Sequence, residues 1–354
     1  MSEYGEHFIR EIEIKNYKLF KDFKAKGFGR VNLIGGKNNV GKTAFMEALE
    51  LFISTNDTLS FSYYLYLLIR RRQSSNRRDR YFELDFLYKN SQKMLIENSY
   101  KKIEVEYLEE LPDIINDISE EANLYIKHEP SLKLTVNDNQ KIFSVSRILD
   151  RPPIGMRRPL DFNKEIKINF ISSATTDERD IAILYGKLID LNKESFLNNS
   201  LRIFDDNIIS LKQKATDRDI VLKLQLKNQE LPVLLSSVGE GVNRYITILC
   251  GIWASQNGFL FIDEIENGIH YTNYDKLWKI IFLVSKEANV QVFATTHSKE
   301  CIESFNRVQK ELNDEDTFYF EMYKNIKNDN ISMRQLDAKQ LEYELNHQGR
   351  YRGE

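Results

Sequence analysis

The sequence lacks the features of several protein classes. It has only two cysteines, so a disulfide framework is excluded, and Cys250 and Cys301 are expected to be buried free thiols in a reducing compartment. Its most apolar run, residues 59–69, is about half the length that crosses a bilayer. The acidic first residues contain no apolar core, which is not the pattern of a signal peptide. We therefore expect a cytoplasmic protein with no membrane partner.

The sequence also has no large excess of positive or negative charge. The formal net charge is −3, so any contact with nucleic acid must come from a local patch. The chain is 42% hydrophobic and 29% charged, which excludes the disordered class. Fixed-period repeats and low-complexity segments are absent. With 354 residues, the chain can form one large domain or two smaller ones.

The most informative segment that is present runs from Gly36 to Thr43 and reads Gly-Lys-Asn-Asn-Val-Gly-Lys-Thr. An apolar strand at 30–35 precedes it and a helical run at 44–52 follows it, which is the context of a phosphate-binding loop. The glycines let backbone N–H groups close around phosphate oxygens, and the helix N-terminus adds a positive dipole end. A plain Gly/Asn turn is the alternative, and the flanking elements disfavour it.

This loop predicts ATP and Mg²⁺ as cofactors. Lys42 should reach the β- and γ-phosphates, and the Thr43 hydroxyl should ligate Mg²⁺. The residues predicted to contact the nucleotide are Gly36, Asn38, Asn39, Val40, Gly41, Lys42, Thr43 and Ala44.

A second part of the predicted site is the apolar run at 259–262, which ends in Asp263 and Glu264. A fully apolar strand fits the centre of a parallel sheet, and ligands bind at the carboxyl ends of such strands. Asp263 is predicted to hold Mg²⁺, and Glu264 is predicted to polarise the attacking water. The alternative is that these are ordinary surface acids behind a strand, and the presence of the phosphate-binding loop upstream disfavours it.

A histidine follows the next strand, 290–294, in the sequence Thr-Thr-His-Ser. A lone histidine at a strand end is commonly structural. His297, however, stands one strand beyond the two carboxylates, and a neutral imidazole there could bond the γ-phosphate or the water. We therefore predict Lys42, Glu264 and His297 as the catalytic residues.

Between the loop and the acidic strand lies the segment 235–241, Leu-Ser-Ser-Val-Gly-Glu-Gly, ahead of a predicted helix at 243–255. Ser237 and Glu240 have the spacing of a capping box, so a well-capped helix is one interpretation. The segment also resembles the signature motif of ABC-type ATPases, in which the serine and the helix N-terminus bind the γ-phosphate held by the opposite subunit. That resemblance implies that Ser237, Gly239 and Glu240 contact nucleotide.

Three segments together resemble the AAA15/AAA21 group of ABC-class ATPases, relatives of RecF, Rad50 and the ATPase half of the OLD (overcoming lysogenization defect) nucleases. They are RVNLIGGKNNVGKTAFMEAL, SSVGEGVNRYITIL and GFLFIDEIENGIHYTNYDKLW…QVFATTHS. The resemblance covers roughly 8–50 and 230–305. It implies the roles already given to the loop, the carboxylates and His297, and it places Asn267 and Gly268 in a loop that communicates across a dimer.

The sequence departs from the Rad50 pattern at three points. Val238 stands where the Rad50 signature has its first glycine. The glutamine of the lobe junction is not obvious, and Gln73 is the candidate. No long heptad array is present, so coiled-coil arms are not expected.

The fold class predicted is α/β: an ABC-type ATPase fold with a mixed central sheet, an antiparallel β lobe and a helical signature lobe. Residues 1–172 are assigned to the nucleotide-binding lobe with its β insertion, 173–218 to the helical lobe, and 219–354 to the signature, acidic strand, switch histidine and a C-terminal α/β segment. Strands are predicted in the insertion at 81–88, 103–107, 123–128, 132–136 and 142–147. Helix is predicted over 178–214, and the proline-rich 151–159 is the best candidate boundary.

The function predicted is hydrolysis of ATP–Mg at composite sites of a homodimer or higher homo-oligomer. The 57 residues after His297 are too few for a TOPRIM nuclease, so no nuclease domain is expected in this chain. By analogy with PARIS-type anti-phage ATPases, it would be the sensor or scaffold of a two-component defence system with a separate, TOPRIM-type effector. The alternatives are a scaffold that hydrolyses ATP slowly, a RecF/Rad50-like DNA-binding ATPase in repair and, least favoured, the ATPase of a membrane transporter.

An arginine cluster leaves a DNA partner open. Such a cluster, flanked by tyrosines, suits phosphate backbones and protein partners alike. A solvated loop, or an ion-pair surface facing the acids of 109–121, is the alternative. The members are Arg70, Arg71, Arg72, Arg77, Arg78 and Arg80.

Overall fold

The computed structural model describes residues 5–72, 87, 91–109, 130–145, 167–174, 177–215, 220–325 and 329–347. Several predictions lie outside these residues: Gln73, three arginines of the cluster (Arg77, Arg78 and Arg80), the strand at 123–128, nearly all of the strand at 81–88, and the proline-rich 151–159.

Fifteen strands lie in the described part of the chain. They are β1 Glu11–Tyr17, β2 Phe20–Lys26, β3 Val31–Gly35, β4 Lys93–Glu97, β5 Lys102–Leu108, β6 Ser131–Val136, β7 Asn139–Ser144, β8 Ile168–Ile171, β9 Ile208–Ala215, β10 Ile220–Leu226, β11 Val233–Leu234, β12 Phe259–Ile262, β13 Gln291–Thr295, β14 Thr317–Lys324 and β15 Ile331–Leu336.

Eight α-helices lie in the same part. They are α1 Lys42–Ser54, α2 Thr58–Arg72, α3 Glu178–Asp190, α4 Glu194–Phe204, α5 Glu240–Ala254, α6 Tyr274–Glu287, α7 Lys299–Leu312 and α8 Ala338–Asn346. None of these described helices combines the length and the hydropathy needed to span a bilayer.

A mixed six-stranded sheet forms the centre, in the order β15-β14-β3-β13-β12-β8. All neighbouring pairs are parallel except β14 and β15. The register pairs Ile34 with Thr295 and Ile262 with Ala294, so β3, β13 and β12 end at one edge of the sheet. The loops that follow these three strands therefore meet there. The predicted α/β class with a mixed central sheet is confirmed.

Both faces of this sheet are covered, which explains why β12 and β13 are buried throughout. Alternate residues point to opposite faces. Phe261 stacks between Phe170 and Phe293, with ring centroids 6.1 and 5.7 Å away, in the apolar cluster that also contains the buried face of α1. Leu260 and Ile262 belong to the cluster built from α5, α6 and α7.

An antiparallel sheet, β2-β1-β4-β5-β6-β7, joins the N-terminal hairpin to the predicted β insertion. The strands predicted at 103–107, 132–136 and 142–147 correspond to β5, β6 and β7. Strand β4 was not predicted. It has only five residues, and its inward pair, Met94 and Ile96, is too short an alternation to stand out locally.

The helical prediction over 178–214 is correct for α3 and α4 but wrong beyond them. Residues 208–215 form β9, which pairs antiparallel with β10, and Leu211 lies opposite Leu224 with both buried. Pairing with a separate strand stabilises the extended form, and helical periodicity within one segment does not report it. The domain boundaries given above stay predictions.

Candidate functional site

The phosphate loop lies between β3 and α1, as predicted. Gly36 has φ 140°, and a Cβ there would lie 2.2 Å from the carbonyl oxygen of Met322, so only glycine fits. Gly41, at φ 94°, is the N-cap of α1, and no side chain caps that helix. The helix N-terminus is therefore directed at the loop without a competing side-chain acceptor.

Lys42 is buried at the base of this loop. Its Nζ donates to the carbonyl oxygens of Gly36 (2.8 Å) and Lys37 (2.9 Å) and lies 3.2 Å from Nδ1 of His297. Burial lowers the pKa of Lys42 to about 8, while nearby carboxylates, Glu266 first, oppose that shift. A cation held with so little water around it favours an incoming anion.

Thr43 and Asp263 meet although 220 residues separate them. The Thr43 hydroxyl lies 3.2 and 3.1 Å from the two carboxylate oxygens of Asp263. The Thr295 hydroxyl donates to Oδ1 of Asp263 (2.7 Å) and accepts from the backbone N–H of Glu264 (2.8 Å). Burial raises the pKa of Asp263. Hydroxyl and carboxylate oxygens in this arrangement fit the ligand preference of Mg²⁺. Thr295 was not among the predicted site residues.

Glu264 follows Asp263 in the chain and has φ 48°. Its Oε2 accepts from Nδ2 of Asn267 (2.7 Å), which also donates to the carbonyl oxygen of Ser173 (3.1 Å). Nε2 of His297 is 3.8 Å from Oε1 of Glu264. Burial, and then the charge of Lys42, lower the pKa of His297, which favours the neutral imidazole. The structure thus brings Lys42, His297 and Glu264 together in one row.

Two charged residues of the site were missed by sequence reasoning. Arg244 on α5 donates to the carbonyl oxygens of Ser172 (2.6 Å), Asp263 (2.6 Å) and Glu264 (3.1 Å). Glu266 accepts from the backbone N–H of His297 (2.6 Å). A signal existed for each: Arg244 is a charge directly before the apolar part of α5, and Glu266 is a third acid close behind the strand.

The interpretation of Ser237 and Glu240 as a capping box is wrong. Helix α5 begins at Glu240 with Gly239 as N-cap and no side-chain cap, and Ser237 lies in a preceding 3₁₀ turn. Extended backbone at Val238 carries Ser237 away from the position that a capping side chain needs. Ser237, Gly239 and Glu240 are all exposed.

The start of α5 contacts the loop after β12. A Cβ on Gly241 would lie 2.7 Å from the carbonyl oxygen of Gly268, which itself has φ 75°. Beside this contact lies an open groove of about 480 Å³ whose lining includes Gly239, Val242 and Lys276. The predicted signature residues are therefore exposed, and Glu240 lies beside Gly268.

Of the arginine cluster, Arg71 has a described side chain, and its contacts are within the chain. It donates to both carboxylate oxygens of Glu50 (2.8 and 2.7 Å), and its guanidinium lies 3.9 Å from the ring centroid of Phe170. These contacts anchor the end of α2 against α1 and β8.

Comparison with known proteins agrees with this geometry. A family model described as "AAA domain, putative AbiEii toxin, Type IV TA system" matches residues 31–303, from the start of β3 to α7. The chain belongs to this family, AAA_21. The predicted membership of the AAA15/AAA21 group is confirmed.

Among curated proteins, an ATP/GTP phosphatase of Helicobacter pylori is 27% identical over 334 residues, which cover 86% of this chain and 89% of that protein. An uncharacterized protein of Methanocaldococcus jannaschii is 36% identical over 89 residues, covering 24% of this chain and 38% of that protein.

Among solved structures, the SMC head bound to the C-winged helix domain of ScpA aligns over 93% of this AAA_21 chain and 98% of that chain, with a TM-score of 0.48 and 13% identity. The SMC head domain from Thermotoga maritima aligns over the same shares with a TM-score of 0.47 and 13% identity. Because both TM-scores are low, we base the fold assignment on the strand order and register described above and not on these alignments.

Replacing Arg244 with methionine should lower the free energy of unfolding by about 2 kcal/mol or more, because three carbonyl oxygens lose a charged donor inside the protein. Urea denaturation measures this change. The matched control is Arg202→Met, which removes an exposed arginine that donates to the carbonyl oxygen of Ile209 and should change stability by about 0.5 kcal/mol or less. Equal effects of the two substitutions would contradict the anchoring role of Arg244.

Proposed function

We propose that this AAA_21 protein is a Mg²⁺-dependent ATP hydrolase whose complete sites form between two copies of the chain. The observation that carries the proposal is the meeting of three loops at one edge of the central sheet. One loop brings Lys42 and Thr43, the second brings Asp263 and Glu264, and the third brings His297. The name of the Helicobacter pylori relative, ATP/GTP phosphatase, supports the same reaction class.

Nucleotide binding would begin at the phosphate loop. Gly36, Asn38, Asn39, Val40, Gly41 and Ala44 supply backbone around the phosphates, and Lys42 exchanges carbonyl partners for phosphate oxygens. Thr43 and Asp263 would hold the metal ion, which supplies charge neutralisation of the phosphates.

Hydrolysis requires a polarised water near the γ-phosphate. We assign the polarisation of this water to Glu264. Its carboxylate lies in the row formed with His297 and Lys42 and accepts a hydrogen bond from Asn267. The water oxygen attacks phosphorus, the bond to the β–γ bridging oxygen breaks, and ADP and phosphate leave. A neutral His297 can donate one hydrogen bond to the phosphate or accept one from the water.

The second copy would supply the signature. Ser237, Gly239 and Glu240 are exposed at the start of α5, and its N-cap residue, Gly239, provides no side-chain cap. An uncapped N-terminus is suited to an anion. A homodimer that places it against the partner's γ-phosphate would complete both sites at once, as a two-fold arrangement requires.

For the biological role we infer a sensor or scaffold in a two-component anti-phage system, with a separate TOPRIM-type nuclease as effector. The family description, which names a toxin–antitoxin system, is consistent with paired components. A RecF/Rad50-like role in DNA repair is less favoured, because Arg71, the described arginine of the cluster, is already paired with Glu50.

Replacing Lys42 with alanine should weaken ATP binding by about 100-fold or more, because charge-assisted hydrogen bonds to the β- and γ-phosphates are lost. Isothermal titration with ATP and Mg²⁺ measures this affinity. The control is Lys21→Ala, an exposed lysine of the N-terminal hairpin, which should bind as the wild type does. Unaltered affinity in the Lys42 variant would refute the site assignment.

Replacing Glu264 with glutamine should reduce turnover by about 100-fold or more while ATP still binds, because the amide keeps the shape but cannot polarise water. Phosphate release measures turnover, and light scattering with ATP should show a dimer that persists. A variant with wild-type turnover would argue against Glu264, and a variant that stays monomeric with ATP would argue against the composite site.

The partner is tested by isolating the tagged protein from its native cells with ATP, as wild type and as Glu264→Gln. A stoichiometric protein with a TOPRIM-like nuclease domain, enriched with the ATP-trapped variant, is the expected result. Recovery of DNA without a protein partner would instead support the repair role.

A further inference from the structure

Glu266 lies inside the candidate site but takes no part in the reaction proposed above. It follows β12 by four residues, in the turn that continues from Asp263 and Glu264. Its Oε1 accepts the backbone N–H of His297 at 2.6 Å, and its Oε2 is also buried. A buried carboxylate is costly unless it is bonded or paired, so this position calls for an explanation.

Glu266 connects the two loops that carry the reacting side chains. Near the strands, these loops are joined by the bonds from the backbone of Glu264 to the Thr295 hydroxyl (2.8 Å) and from the Ile265 N–H to the Thr295 carbonyl oxygen (3.0 Å). Farther from the strands, the Glu266 carboxylate joins the two loops by accepting a hydrogen bond from the backbone N–H of His297.

The backbone of His297 depends on this contact. Strand β13 ends at Thr295, and α7 begins at Lys299 with Ser298 as its N-cap, so His297 belongs to neither element. Its N–H is bound by the side chain of Glu266 and not by a helix or strand partner. A residue outside regular structure keeps one orientation only if such a bond fixes it.

Glu266 could instead act through its charge on Lys42. The geometry favours the hydrogen bond, because the partners of Lys42 Nζ are the carbonyl oxygens of Gly36 and Lys37 and the ring of His297. The two roles require different side chains at position 266. A charge role needs a carboxylate, whereas a hydrogen-bonding role needs an acceptor at the reach of a glutamate.

We propose that Glu266 is a positioning residue that holds the backbone of His297 so that its ring stays between Lys42 and Glu264. This role rests on the proposed ATP hydrolysis, and Glu266 itself touches neither nucleotide nor water in it.

Three substitutions separate the roles. Glu266→Gln keeps an acceptor at the same reach and should retain kcat within about 3-fold. Glu266→Asp keeps the charge but is one methylene too short, and Glu266→Ala removes both, so each should lower kcat by about 10- to 100-fold through misplacement of His297. KM and the denaturation midpoint should change little in the two impaired variants. The surface control is Glu315→Ala.

A double-substitution cycle tests whether Glu266 acts through the histidine. Glu266→Ala combined with His297→Ala should be no slower than His297→Ala alone, because both remove the same interaction. Additive losses would overturn the inference. So would full activity in Glu266→Ala, or activity retained by Asp and lost by Gln.

The two proposals fail in distinguishable ways. A wild-type protein without Mg²⁺-dependent hydrolysis would refute the proposed function, and this role of Glu266 with it. Hydrolysis by the wild type together with any of the contrary results for Glu266 would refute the positioning role alone.

Discussion

The parallel register of β3, β13 and β12 is the constraint on which the rest of the site depends. Because Ile34 pairs with Thr295, and Ala294 with Ile262, each strand ends within about one residue of its neighbour in the sheet. The three loops then begin side by side, and segments as far apart as Thr43 and Asp263 come within hydrogen-bonding distance. The register is itself fixed by packing on both faces, since a slip of one residue would turn each buried side chain to the opposite face.

The site contains several charged side chains close together, and its cations and carboxylates partly offset one another's charge. Lys42 and Arg244 lie among Asp263, Glu264 and Glu266, and burial lowers the pKa of both cations while it raises the pKa of Asp263 and Glu266. Lys42, Arg244 and Asp263 are buried, so their charges act strongly on their neighbours. An anionic ligand at Lys42 would therefore alter the balance of the whole group. Lys42, His297, Glu264 and Asn267 lie next to one another in that order, so a change at Lys42 can reach Asn267 through neighbouring side chains.

Arg244 links this group to the exterior of the molecule. It sits on α5, whose first residues belong to the exposed segment predicted as a signature, and it donates to the backbone carbonyl oxygens of Asp263 and Glu264. The same helix is buried from Arg244 to Ala254, so it is held as a rigid element. The nucleotide edge and the signature surface are thus parts of one packed unit, although they face different surroundings.

The sequence by itself determined the local chemistry: the phosphate loop, the carboxylates after β12, the histidine after β13 and the mixed α/β class. These features are encoded in contiguous runs, where glycine spacing and strand apolarity are legible. Only the tertiary structure decided that β9 is a strand, that Ser237 does not cap α5, and that Thr295, Arg244 and Glu266 belong to the site. Three of those outcomes depend on a partner outside the local segment: β10 for β9, backbone carbonyl oxygens for Arg244 and the N–H of His297 for Glu266. Local periodicity carries no information about such partners, because the free energy that selects them arises only when the segments pack together.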